Sequence, residues 1–340
     1  MLEGSLWEPN SMDFEEKASI LRSEVEKIIK EESNKPFIVS IMGQTGVGKS
    51  SLLNALFKAN LPTDKVRPCT KTIDRVVAKG TTKHELWFYD LPGIGESSEA
   101  DDEYLEDYKQ KLLESDVVLW AIHADIRSVT FDFNSLQKTL ASFEAAVQGD
   151  LLGKITFVLT KADLLSPPPW IFGKDGESGL FTASKETKAL MMEKSSYYQE
   201  IFLQPHADLL VSKTYNDGNF SIADSSFSYD EYSIAYHGLL TESDLQRLKA
   251  HFPEHEKVFD RLYDNYQFIP CSSMFKYNLG RLMLVIINKL GKNAINRFTN
   301  FIDSQNMGRV PLSEAKKMSN IVIFDSRKKQ IVFDLTDIEI

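Results

Sequence analysis

Cysteine is almost missing from this chain: 340 residues hold only Cys69 and Cys271, far apart in sequence. That usage suits a reducing cytoplasm and offers no disulfide framework. Long apolar runs are missing too. None approaches the ~18 residues that cross a bilayer, and no secretory leader pattern opens the chain. Positive charge is scarce, since 39 Lys and Arg face 49 Asp and Glu, a formal net charge of −10. An acidic surface repels phosphate backbones, which argues against nucleic acid as a partner. There is no internal repeat. What remains is 42% apolar, enough for one good α/β core with appendages.

One stretch carries more chemistry than any other. Gly43-Gln44-Thr45-Gly46-Val47-Gly48-Lys49-Ser50 completes the pattern G-x-x-x-x-G-K-[ST]. The apolar run 37–42 before it reads as a strand, and Ser51 to Phe57 reads as a helix. A strand, a glycine turn and a helix start together surround a phosphate chain with backbone N–H groups and a helix dipole. The residues expected to line that chain are Gln44, Thr45, Gly46, Val47, Gly48, Lys49, Ser50 and Ser51. Lys49 reaches the β- and γ-phosphates, and Ser50 is placed for Mg²⁺. The pattern implies a bound nucleoside triphosphate.

Two further elements follow in order. The run 84–89 reads as a strand ending in Asp90-Leu91-Pro92-Gly93, a D-x-x-G turn in which Asp90 faces the metal and the Gly93 N–H faces the γ-phosphate. The unbroken apolar run 154–159 reads as a buried parallel strand leading into Thr160-Lys161-Ala162-Asp163. The pattern [NT]-K-x-D reads guanine. The Asp163 carboxylate accepts from the base N1–H and the 2-amino group, a pair that adenine does not offer. Lys161 would lay its aliphatic stem along the base.

With these motifs in this order, residues 36–163 resemble the translation-factor-related class of GTPases, most closely its Era-like branch, with a return at 266–290. The first motif is similar to that branch as far as Phe57. The resemblance implies a three-layer P-loop NTPase fold: a mostly parallel, doubly wound α/β sheet with helices on both faces. It also implies a cytoplasmic enzyme that converts GTP to GDP and needs Mg²⁺. A switch threonine closing over Mg²⁺ and the γ-phosphate is expected at Thr70, with Thr72 as the alternative, so Lys49 and Thr70 form the catalytic pair and Ser50, Thr70 and Asp90 the metal set. The last guanine-contacting loop is expected at Ser272 and Ser273, followed by a closing helix over 279–290.

The chain departs from that pattern in two ways. Many such GTPases carry a glutamine directly after D-x-x-G to position water, and here Ile94 stands there. Intrinsic hydrolysis is then slow. A nucleotide-dependent homodimer supplying the missing group is one reading, and a GTP-binding scaffold with little turnover is the alternative. The second departure is length, because about a hundred residues separate Asp163 from Ser272. This divides the chain into an N-terminal amphipathic helix (1–35), a first GTPase part (36–164), an insertion (165–265), the last strand and helix (266–292) and a C-terminal extension (293–340). The insertion opens on a stiff Pro167-Pro168-Pro169-Trp170 connector and has a helix over 183–204. It continues through a polar segment at 214–236 with an Asn216-Asp217-Gly218 turn, then a capped helix from Thr241, with Asp244 three residues on. It reads either as a lid or docking module for an unknown protein partner, or as a decoration of the core.

Phe14, Ala18, Leu21, Val25 and Ile28 form one apolar stripe near the start of the chain. The acidic run 96–103 suits a helix start. Residues 321–324 and 331–333 flank a polar turn and predict a β-hairpin, which must pair with the sheet, the insertion or another chain. His251 and His255 straddle Pro253 and read as surface residues rather than metal ligands. The absence of a basic RNA-binding domain and of room for a long stalk argues against a ribosome-assembly or membrane-remodelling role.

Overall fold

The structure, a computed structural model, describes residues 36–57, 74–79, 85–91, 98–125, 129–165, 170–216, 218–290, 308–315, 317–318 and 321–333. The N-terminal stripe, Thr70, Thr72, Gly93 and Ile94 lie outside the described residues.

Six strands form the central sheet: β1 (Phe37–Met42), β2 (Asp74–Lys79), β3 (Glu85–Asp90), β4 (Val117–His123), β5 (Ile155–Thr160) and β11 (Ile269–Pro270). Their spatial order is β11-β5-β4-β1-β3-β2. Every neighbouring pair is parallel except β2–β3 at one edge. Both faces are covered, which is why β4 and β5 read as unbroken apolar runs rather than alternating ones. On β4, Val117, Leu119 and Ala121 point into one core with β1 residues Phe37, Val39 and Ile41. The helices α1 (Lys49–Phe57) and α8 (Leu279–Lys289) close that face with Leu52, Leu53, Leu282 and Ile286. Val118, Trp120 and Ile122 point the other way. There α2 (Ser98–Glu114), α3 (Thr130–Ala141), α4 (Ala145–Lys154) and α5 (Lys185–Leu203) supply Leu112, Leu136, Leu151 and Phe202. The fold is the expected doubly wound α/β sheet.

Helix α5 comes from the stretch read as an insertion, yet it covers the central sheet. Phe202 meets Phe157 of β5 edge-on at 6.3 Å, and Phe157 stacks on Phe268 at 4.5 Å. Aromatic contacts of this kind add about 0.5–1.5 kcal/mol each beyond their buried area. Before α5, the hairpin β6 (Trp170–Asp175) and β7 (Ser178–Ala183) forms where the sequence reading had only a connector. This hairpin shares a five-stranded sheet with β12 (Val310–Pro311), β13 (Ile321–Asp325) and β14 (Gln330–Phe333), in the order β12-β7-β6-β13-β14. The C-terminal hairpin therefore pairs with the insertion, β13 running parallel to β6 from Ile321↔Trp170 to Asp325↔Lys174. Arg327 and Arg309 both reach Asp175, at 2.6 and 3.4 Å.

The rest of the insertion packs around its own core. A three-stranded sheet, β8 (Val211–Tyr215), β9 (Phe227–Tyr229) and β10 (Ser233–His237), lies with α6 (Glu242–His251) and α7 (Glu256–Asp264) around Phe227, Ile234, Leu245 and Phe259. The Thr241–Asp244 capping box forms in full. His255 corrects the reading of two surface histidines. It is only 6% exposed and sits among rings, with Phe220 at 4.9 Å and Phe259 at 6.3 Å. The 3₁₀ turn at Pro253 points it inward, while His251 stays exposed.

Candidate functional site

The chemistry-bearing segments gather at the carboxyl ends of the parallel strands, where open α/β sheets bind ligands. Gly43 leaves β1 at φ 136°, and a Cβ there would lie 2.1 Å from the Ala121 carbonyl oxygen. Only glycine fits both the angle and the approach. Gly46 and Gly48 also hold positive φ, so the loop curls before α1 begins at Lys49. The first N–H groups of a helix have no carbonyl four residues back, and here they open into the curl. Lys49 is buried, with Nζ donating to the Gly43 carbonyl at 3.0 Å and to that of Gln44 at 3.4 Å. A cation inside a ring of amides is suited to a polyphosphate.

Beside it, Ser50 Oγ donates to Asp90 Oδ2 at 2.7 Å. The register brings these two together: Ile41 pairs with Asp90 across β1–β3, and the Leu91 N–H donates to the Ile41 carbonyl. A hydroxyl and a buried carboxylate in contact form a hard-oxygen donor set, the kind that Mg²⁺ accepts. The residues fit that ion.

On the other side of the loop, Thr160 Oγ1 lies 2.6 Å from the Val47 carbonyl oxygen and 3.0 Å from that of Ile122, donating to one of them. Lys161 takes a left-handed φ of 55° and reaches back over the loop, where Nζ donates to the Gly46 carbonyl at 2.7 Å. Asp163 follows, half-exposed, in the 3₁₀ turn Ala162–Leu164. The Ala162 N–H donates to the Cys271 carbonyl at 3.0 Å, and the Cys271 N–H to the Leu159 carbonyl at 2.7 Å. Two backbone bonds thus stitch the 160–163 turn to the 271–273 loop. Ser272 is fully buried, its hydroxyl accepting from the Phe275 N–H, whereas Ser273 is half-exposed.

One partner of the loop escaped the sequence reading. Gln44 Nε2 donates to Asp132 Oδ2 at 2.7 Å, and Asp132 sits on α3 only 2% exposed. Its signal was a carboxylate at helical spacing from Leu136 and Leu140, inside an apolar stripe. Burial pushes the Asp132 carboxyl up to about 6, opposed by the Gln44 bond. His123, at the end of β4, is held below its ordinary range by burial and by the nearby Lys161 charge. A carboxyl raised from 3.8 to about 6 stabilises the fold fully below pH 3.8, and that contribution is lost as pH rises through 6. Asp132→Asn keeps an acceptor for Gln44 and removes the buried charge. It should gain about 3 kcal/mol near pH 7.5 and nothing near pH 4. Denaturant midpoints at the two pH values check this, and an unchanged midpoint at pH 7.5 contradicts it.

A parallel sheet whose carboxyl ends carry a glycine phosphate loop, a hydroxyl–carboxylate pair and a Thr-Lys-x-Asp turn has the arrangement of a nucleotide-binding site. Residues 38–152 match the family described as 50S ribosome-binding GTPase. Uncharacterized protein YkfA of Escherichia coli (strain K12) is 34% identical over 177 residues, which is 52% of this chain and 55% of that protein. Uncharacterized protein YfjP of the same strain is 33% identical over 176 residues, 52% of this chain and 55% of that one. GTPase Era of Thermoanaerobacter sp. (strain X514) is 33% identical over 95 residues, 27% of this chain and 31% of that protein. The chain spans about half the length of the first two relatives.

Proposed function

We propose that this protein is a Mg²⁺-dependent GTPase of the Era-like kind, hydrolysing GTP to GDP and phosphate and acting as a nucleotide-controlled switch in a reducing cytoplasm. The observation that carries the reading is Lys161, whose ammonium lies on the Gly46 carbonyl while Asp163 stands two residues on. That ties a base-reading turn directly to a phosphate loop. The N–H groups from Gln44 to Ser51 cradle the phosphates, and Lys49 places positive charge against the β- and γ-phosphates. Thr160, Lys161, Asp163 and the backbone at Ser272 and Ser273 hold the guanine. Ser50, Asp90 and the switch threonine, Thr70 or Thr72, would hold Mg²⁺, and the Gly93 N–H meets the γ-phosphate. When bound, Mg²⁺ neutralises charge on the phosphate oxygens.

Ile94 has no group with which to orient water, so catalysis rests on electrostatic clamping and on a group brought from elsewhere. A second subunit docking on the nucleotide face is the source we favour. Within the insertion, residues 165–265, the part with its own core is the segment we assign to docking a protein partner. Single-turnover hydrolysis of GTP and of ATP with Mg²⁺, over a hundredfold protein dilution, tests this. GTP should be consumed and ATP spared, with the rate per subunit falling on dilution. A flat rate counts against the dimer, and GTP bound without turnover at any concentration removes the enzyme assignment.

A further inference from the structure

The loop that follows β11 is held by an unusual neighbour. Residues 272–278 fold back on themselves: the Ser272 and Tyr277 backbones exchange hydrogen bonds at 3.0 and 3.2 Å, and Lys276 and Asn278 take left-handed φ of 49° and 57°. Asn278 Nδ2 donates to the Pro270 carbonyl at 2.9 Å, fixing the loop to its own strand. At its outer bend Phe275, 5% exposed, stacks on Phe181 of β7, with centroids 4.2 Å apart and planes at 12°. Trp170 of β6 meets Phe275 edge-on at 5.1 Å and Tyr277 at 4.9 Å.

The C-terminal strands reach the same loop. Lys276 Nζ donates to the Arg309 carbonyl at 2.9 Å, one residue before β12, and Gly308 packs close to the Lys276 carbonyl. One buried cluster contains Phe275 with Trp170, Phe172 and Phe181 from the hairpin, Val310 and Ile323 from the C-terminal strands, and Ala162 and Leu165 from the turn around Asp163. The loop after β11 therefore rests on the five-stranded sheet, three of whose strands, β12, β13 and β14, come from residues 310–333.

We propose that the five-stranded sheet is a positioning platform for the guanine pocket, acting through Phe275, Trp170 and Lys276, so that its integrity sets how long the nucleotide stays bound. The proposal rests on the GTPase reading above. The platform's contacts described above run to the 272–278 loop on the base side of the site, so loosening it speeds nucleotide release more than it slows the chemical step. A partner that displaces β12 or the C-terminal hairpin would act as an exchange factor through the Lys276 and Phe275 contacts. Coupling of this kind travels through packed side chains, and the Phe275–Phe181 stack is one link in that chain.

Dissociation of a fluorescent GDP from the full chain tests this, measured by stopped flow on Phe275→Ala, Phe275→Leu and Lys276→Met. Ile234→Ala, in the separate core around β10, is the destabilised control. The Phe275 and Lys276 variants should release GDP at least tenfold faster with kcat at saturating GTP within about threefold, a split expected of a displaced pocket wall. Phe275→Leu gives an intermediate rate and keeps the inference testable should the alanine variant fail to fold. Release at the unsubstituted rate, or equal acceleration by Ile234→Ala, overturns the platform. If the unsubstituted protein retains no guanine nucleotide, the GTPase reading itself fails and the platform falls with it.

Discussion

Asp163→Asn should move the nucleotide preference from guanosine to xanthosine phosphates. The carboxylate accepts two hydrogen bonds, from N1–H and the 2-amino group, and a charged acceptor is worth about 1.5–3 kcal/mol for each. The amide keeps one acceptor and turns the other into a donor, which then faces the 2-amino group of guanine. One lost bond, with two donors left facing each other at a further cost of about 1–3 kcal/mol, totals roughly 3–6 kcal/mol and weakens GTP by about 10²–10⁴-fold. Xanthine presents a carbonyl at position 2, and the amide N–H complements it. The turn should survive, because its backbone is held by the Ala162 N–H on Cys271 and by the Lys161 carbonyl on the Leu164 N–H, neither involving the Asp163 side chain. Competition against a labelled nucleotide with GTP and with xanthosine triphosphate reads the exchange directly. Unchanged GTP affinity contradicts the assignment of Asp163 to the base.

Lys49→Met should remove most of the binding and nearly all of the turnover. The side chain is 7% exposed and its ammonium sits among loop carbonyls, so methionine fills the volume and removes only the charge. A positive charge on transferring phosphate oxygens in a water-poor site is worth about 3–4 kcal/mol, a factor of about 10²–10³ in kcat/KM. Stability should hold or rise, because a buried ammonium is a costly element of the fold. Hydrolysis and thermal denaturation measured on the same preparation separate the two effects. A variant that keeps its kcat/KM contradicts the role, whatever its stability.

How far the sequence could be read depended on the range of the forces involved. The phosphate loop was legible because Gly43, Gly46 and Gly48 answer a local backbone demand, and their positive φ values are all present. The parallel strands were legible because burial on both faces leaves an apolar run, as at 155–160. The Thr241–Asp244 box and the turn at Asn216, whose side chain accepts from the Gly218 N–H, are equally local. What the C-terminal hairpin pairs with was not legible, since Ile321 meets Trp170 through a register set by the whole fold. The β6–β7 hairpin escaped for a similar reason: Leu180 is exposed between buried Gly179 and Phe181, and the close approach of Gly179 to the Gly173 carbonyl is a contact that only the folded sheet creates. β9 and β10 hid in a polar segment because only Phe227 and Ile234 are fully buried there. Asp132 and His255 are polar groups that the fold buries for reasons of packing, and spacing along the chain says little about such groups.

The central claim is that the phosphate loop and the Thr-Lys-x-Asp turn form one guanine-specific site, and calorimetric titration of the intact protein with GDP and with ADP in Mg²⁺ tests it most directly. The account predicts one GDP per chain and ADP weaker by at least about a hundredfold, the discrimination expected when a site built for two hydrogen bonds meets a base that lacks them. Equal affinity for the two nucleotides, or no heat with GDP, would contradict it.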